Sequence, residues 1–174
     1  MNKTISSFSP MRRLPDWLKT SLPKGVNYFR LKALVEKYQL NTVCESASCP
    51  NIGDCWSAGT LTLMILGDTC TRACRFCDVP TGFMKPPREE EPIEIAEMIS
   101  KINLKYIVIT SVDRDDLPDG GSYIWANTIN QIKKRNPYMK IEALIPDFKG
   151  EDSLVNKICQ EKPEVISHNI ETVE

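Results

Sequence analysis

The sequence has a single histidine, His168, among its 174 residues. One imidazole can complete at most one zinc site. An excess of either charge is also lacking: 22 basic side chains stand against 23 acidic ones, a net charge of −1. That balance argues against bulk binding to nucleic acid, which wants a basic face. No apolar run approaches the ~20 residues of a membrane span, so neither nucleic acid nor a membrane is an expected partner. Met1 to Pro10 is polar, unlike a secretory signal. Met1–Arg13 has serines, two arginines and no acid, the pattern of a short organelle transit peptide. Its basic stretch is brief, however, and a cytoplasmic protein is the expectation.

What the chain does have is seven cysteines, an odd count. Six fall in two triplets and only Cys159 is left over. Without a secretory signal, tight triplets suggest metal rather than disulfides. Cys70, Cys74 and Cys77 have the spacing C-x3-C-x2-C and follow Thr62–Leu66, an apolar run of strand length punctuated by Gly67. Such a loop lies at a strand's C-terminal end, where α/β proteins build their sites. Cys44, Cys49 and Cys55 have the spacing C-x4-C-x5-C among Pro50, Gly53 and Trp56, which reads as an irregular loop. A structural zinc wants four ligands and each loop offers three. A cubane iron–sulfur cluster held by three thiolates keeps one iron open for chemistry. Spacing alone leaves both outcomes standing.

The C-x3-C-x2-C spacing with Phe76 before the last cysteine resembles the radical S-adenosylmethionine superfamily. The longer stretches ILGDTCTRACRFCDV and VCESASCPNIGDCW resemble the lipoyl synthase family, and matching motifs run from the Trp17 region to the last residue. The resemblance implies two [4Fe–4S] clusters, one on Cys70, Cys74 and Cys77 that cleaves S-adenosylmethionine, and an auxiliary one on Cys44, Cys49 and Cys55 that supplies sulfur. It implies insertion of sulfur at C6 and C8 of a protein-bound octanoyl group. The octanoylated partner would be the E2 subunit of a 2-oxoacid dehydrogenase or the glycine cleavage H protein. A ferredoxin or flavodoxin electron donor and an iron–sulfur carrier are implied as well. One departure is Asn41, where the family's HTVC run has histidine.

The rest of the chain alternates strand and helix patterns. Pro80–Pro92, with the acidic run Glu89–Glu91, reads as an exposed connection, and Pro92 suits a helix's first turn. Ile93, Ala96, Ile99 and Ile102 form a helical stripe, and YIVIT over Tyr106–Thr110 a buried strand. After the polar loop SVDRDDLPDGG, Ile124, Trp125, Ile129 and Ile132 mark the next helix. Met139–Ile145 is a third strand, followed by the loop IPDFKG. Leu154, Val155, Ile158 and Cys159 mark a short helix, with Cys159 expected as an inert core thiol. Glu164–Asn169 is the fourth strand.

This is an α/β chain whose strands should pair in parallel. A closed barrel takes about 250 residues, and the superfamily resembled uses a partial (β/α) barrel. The expectation is therefore an N-terminal extension over 1–59, carrying the first triplet, and an incomplete partial barrel over 60–174. The chain would be a C-terminally shortened family member, inactive alone because the family's C-terminal serine ligand is missing, with an unpaired edge on the fourth strand. In the extension, Trp17 and Leu18 are candidate anchors and the excess of Lys and Arg a solvated face. Asn27 is a candidate cap for a helix with Phe29, Leu31, Leu34, Val35 and Tyr38 on one face.

Loops after parallel strands share one end of the sheet. Ser111 and Asp113, after the second strand, can bind an ammonium group. By resemblance they would meet the amino group of S-adenosylmethionine, Asn169 and Glu171 its other polar groups, and Phe76 its adenine. Asp115 and Asp116 read as solvated turn residues, and His168 as a core or hydrogen-bonded structural side chain.

Overall fold

A run alternating buried and exposed residues becomes a strand only where neighbours satisfy its amides. The computed structural model describes residues 15, 22–102, 104 and 106–170. It forms one open five-stranded sheet. In chain order the strands are β1 (Asn41–Thr42), β2 (Thr62–Ile65), β3 (Tyr106–Ser111), β4 (Lys140–Leu144) and β5 (Val165–Ser167), and their order in space is the same. β2 to β5 pair in parallel, with Thr62 opposite Val108, Ile107 opposite Ile141 and Ala143 opposite Ile166. These are the four strands expected. The two-residue β1 pairs antiparallel with β2; it is too short to show any periodicity in sequence. Among the described residues nothing pairs with the outer edge of β5.

The helices are α1 (Val26–Lys37), α2 (Val43–Ser46), α3 (Ile52–Ser57), α4 (Glu91–Ser100), α5 (Ser122–Arg135) and α6 (Asp152–Gln160). α4 packs against α5, and α5 against α6. Their apolar stripes meet one face of the sheet: Ile95, Ile99, Trp125, Ile129, Ile107 and Ile141 are fully buried in one core. Each such aliphatic side chain contributes about 1.5–3 kcal/mol of transfer free energy. Leu31, Val35 and Trp56 of the extension belong to the same core. Pro92 sits in the first turn of α4, as its missing N–H favours.

Several expectations change in three dimensions. α1 begins at Gly25 rather than at a capping Asn27, whose amide instead donates to Ser57 O at 3.1 Å. Phe29 is 61% exposed, because the buried face of α1 centres on Leu31 and Val35. The stretch around Cys44, Cys49 and Cys55 is not irregular throughout. Thr42 caps α2 by accepting the Glu45 N–H at 3.2 Å, and its hydroxyl donates to the Glu45 carboxylate. The spacing Thr-x-x-Glu is a helix-start signature. Cys159 is exposed rather than a core thiol, since only Ile158 of α6 is fully buried. Glu91, expected in an exposed acidic run, is 4% exposed and accepts the Leu66 N–H at 2.9 Å. Trp17, Leu18 and the basic residues up to Lys19 lie outside the described residues.

Leu66 leaves β2 with φ 71, and its side chain sits directly on Gly121. A Cβ at Gly121 would stand 2.4 Å from Leu66 Cδ1, and Gly121 itself has φ +84. Gly121→Ala therefore combines overpacking with left-handed strain and should destabilise the fold by about 2–4 kcal/mol. The urea midpoint of the variant against the parent measures it.

Candidate active site

A cavity of about 240 Å³ opens at the C-terminal ends of the parallel strands. Met64, Thr110 and Leu144 form its inner side, from β2, β3 and β4. Thr110 and Leu144 occupy strand positions that alternate with core residues, so burying one face of the sheet presents the other to the cavity, while Met64 also belongs to the core. Cys70, Cys74 and Cys77 line it from the loop after β2, and Phe76, 66% exposed, stands at its mouth. Ser111 enters from the end of β3 and Asp113 just after it, Asp147 after β4, and His168 and Asn169 after β5. The structure thus brings together every site residue expected for this face except Glu171, which lies outside the described residues.

The cysteine loop is moulded by the loop after β3. Cys70 Sγ accepts the N–H groups of Arg72 and Asp113 at 3.4 and 3.3 Å. Thr71 donates its N–H and its hydroxyl to Asp113 O at 3.1 and 2.9 Å, and accepts the Asp115 N–H at 3.1 Å. Cys70 N–H donates to Pro80 O at 2.8 Å, which folds the far end of the loop back on itself. Burial pushes the Cys70 thiol up, while its two amide donors favour the thiolate. Asp113 is half-buried, and burial raises its carboxyl despite Arg72 at 3.7 Å.

Sequence reasoning missed Arg72 and Asp147. The Arg72 guanidinium forks onto Asp115 at 2.7 and 3.0 Å and onto Asp147 at 2.8 Å through two nitrogens. Three successive β–α loops are thereby joined. Hydrogen bonds from Arg72 hold the Asp147 carboxyl down at about 2 and lower Asp115 as well. Asp147 is followed by three successive residues with positive φ, Phe148, Lys149 and Gly150, at 45, 55 and 77. The readable signal was an aspartate just past each of two strand ends, Asp113 and Asp147. Asp115 and Asp116 are ion-paired, with Arg72 and Arg114, rather than solvated turn residues. His168 Nδ1 donates to Ile145 O at 2.8 Å, a structural bond of the kind expected.

The second triplet is distributed over α2 (Cys44), the turn after it (Cys49) and α3 (Cys55). Burial raises the Cys55 thiol, and the neighbouring Cys44 and Cys49 raise it further. Ser48, beside Cys49, donates to Asp78, beside Cys77, at 3.0 Å. The two cysteine loops therefore adjoin.

All seven cysteines are free thiols. Among the described residues no three Cys, His, Asp or Glu side chains converge tightly enough to enclose one metal ion. A cubane spreads its ligands over separate irons, so its thiolates stand farther apart than those of a single ion. Soft sulfurs in threes suit an iron–sulfur centre, and thiolates are equally ligands for zinc. No helix among the described residues is long and apolar enough to cross a membrane.

Comparison with known proteins bears on both triplets. Residues 64–174 match the model of the radical SAM superfamily, and residues 2–49 that of the N-terminal domain of lipoyl synthase. A lipoyl synthase of Flavobacterium johnsoniae is 50% identical over 173 residues, covering 99% of this chain and 59% of the relative. A mitochondrial lipoyl synthase of Nematostella vectensis is 51% identical over 98% of this chain and 58% of its own length. One from Myxococcus xanthus is 49% identical over 93% of this chain and 54% of its own. The chain spans a little over half the length of these relatives.

Proposed function

The chain belongs to the lipoyl synthase family of the radical SAM superfamily, and from that premise we propose that the whole protein inserts two sulfur atoms, at C6 and C8, into an octanoyl group on a lipoyl-domain lysine. The observation that carries the reading is the adjacency of two three-thiol loops at the open end of one sheet, one of them lining a cavity. In this reading Cys70, Cys74 and Cys77 hold one [4Fe–4S] cluster, and Cys44, Cys49 and Cys55 hold a second. Residues 1–59 form the extension with the second cluster, and 60–174 the partial barrel.

When bound, the first cluster and S-adenosylmethionine supply the electron and the adenosyl fragment that removes hydrogen from unactivated carbon, and the second cluster supplies sulfide. The chain's own side chains bind and orient. Asp113, half-buried at the cavity wall, offers a carboxylate to the cofactor's ammonium group, with the Ser111 hydroxyl beside it. Asn169 and Glu171 take its remaining polar groups. Phe76 covers the adenine from the mouth of the cavity. Met64, Leu144 and Ile145 give an apolar wall that excludes water. The partners are an octanoylated E2 subunit or H protein, a ferredoxin or flavodoxin, and an iron–sulfur carrier. The setting is the cytoplasm, or an organelle matrix if the first residues are a transit peptide.

Anaerobic reconstitution tests the reading. About eight irons and eight acid-labile sulfides per chain are expected, with the broad visible absorption of cubane clusters. Stoichiometric zinc without labile sulfide would replace it with a structural metal module.

A further inference from the structure

Two charged side chains of the cavity region touch neither the cavity nor any cysteine, yet both are deeply buried. Arg114 is 3% exposed and Glu91 4%. Burying a guanidinium and a carboxylate is costly unless each is hydrogen-bonded, and here both bond main-chain atoms at the ends of the cysteine loop. Arg114 Nη1 donates to Leu66 O at 3.1 Å, and its Nη2 to Lys85 O at 3.1 Å. Leu66 is the last residue before that loop, and Lys85 is the loop's final residue. Glu91 accepts the Leu66 N–H at 2.9 Å. Both polar groups of one left-handed residue are thus taken by buried charges from two separate elements. Asp116 holds the guanidinium from outside through two bonds of 2.8 Å.

We propose that Arg114, backed by Glu91, is the positioning residue of the cysteine loop: one buried guanidinium clasps both ends of residues 67–85 and so sets where the three thiols stand. The consecutive residues Asp113 to Asp116 divide the work by side. Asp113 and Asp115 face the loop's inner turn, at Cys70, Thr71 and Arg72. Arg114 and Asp116 form the clasp at its ends. A cluster needs its three sulfurs at fixed separations before it arrives, and the segment between β2 and α4 contains no helix or strand to fix them. The inference rests on the reading of this loop as the seat of the cofactor-cleaving cluster.

The test compares Arg114→Lys and Glu91→Gln with the parent, in the intact protein. Lysine keeps the charge but cannot bridge two carbonyls and a carboxylate at once. Glutamine keeps the size and one acceptor but loses the charge-assisted bond. In the metal-free protein, amide hydrogen exchange over residues 67–85 should accelerate about tenfold in Arg114→Lys and about threefold in Glu91→Gln, with α5 unchanged. After reconstitution, the change that S-adenosylmethionine makes in the electron paramagnetic resonance spectrum of the reduced cluster should be diminished in both. Parent-like exchange and spectra in both variants would overturn the proposal, as would an acceleration spread evenly over the sheet. If Arg114→Lys does not fold, Glu91→Gln decides by the same criteria. A parent protein that binds no iron would sink the proposed function, while the exchange measurement would still decide this inference.

Discussion

In the whole protein, and on the function proposed above, Cys74→Ala is expected to reduce 5′-deoxyadenosine formation from S-adenosylmethionine to below detection. Cys74 is exposed, lines the cavity and makes its loop contacts through the backbone, with its carbonyl accepting the Cys77 N–H at 3.1 Å. Alanine keeps that turn and removes only the sulfur. The metal-free variant should therefore unfold within about 0.5 kcal/mol of the parent, as exposed substitutions commonly do. Two remaining thiolates cannot hold a cubane that was built on three. The measurement is deoxyadenosine by chromatography after anaerobic reduction, beside a denaturation curve. A variant that still cleaves the cofactor would mean that Cys74 is no ligand.

Cys49→Ala should divide the reaction differently. Cys49 lies in the turn between α2 and α3 and does not line the cavity. Its loss should change cofactor cleavage by less than about threefold, which corresponds to ~0.6 kcal/mol. Lipoyl product should disappear, because the octanoyl chain would be activated with no sulfide to accept it. Mass spectrometry of an octanoylated peptide, run beside the deoxyadenosine assay, separates the two outcomes. Equal loss of cleavage in Cys49→Ala and Cys74→Ala would show that the two triplets do not act separately. The loops do adjoin through Ser48 and Asp78, so the independence of their chemistry is a demanding expectation.

The four parallel strands were readable because a strand covered by helices must be apolar over a short, bounded run, and Thr62–Ile65 and Tyr106–Ser111 satisfy that locally. β1 was not readable: two residues carry no period, and pairing with Met64 and Leu63 is what makes them a strand. The fate of the acidic residues was equally hidden. Glu89, Glu90 and Glu91 look alike in sequence, yet only Glu91 meets the free amide of Leu66 and is buried. Arg72 reads as one more charge between cysteines until Asp115 and Asp147 arrive from two other loops. Cys159 lies on an apolar stripe, but only Ile158 of α6 is buried and Cys159 itself is exposed.

Spacing within a loop is a local quantity. A chain spans at most ~3.3–3.6 Å per residue, so C-x3-C-x2-C confines its three sulfurs to one neighbourhood whatever the rest of the molecule does. Cluster-type donors and the family likeness follow from residues that are neighbours along the chain. Which loops meet is another matter. Ser48 reaches Asp78 across 30 positions, Asp113 reaches Cys70 across 43, and Arg114 reaches Leu66 across 48. Those encounters depend on strand pairing and on the burial of α4 and α5 against the sheet, and no spacing rule encodes them. The chemistry could be read from the order of the residues; the shape of the cavity, and the clasp behind it, came from the folding of distant segments onto one another.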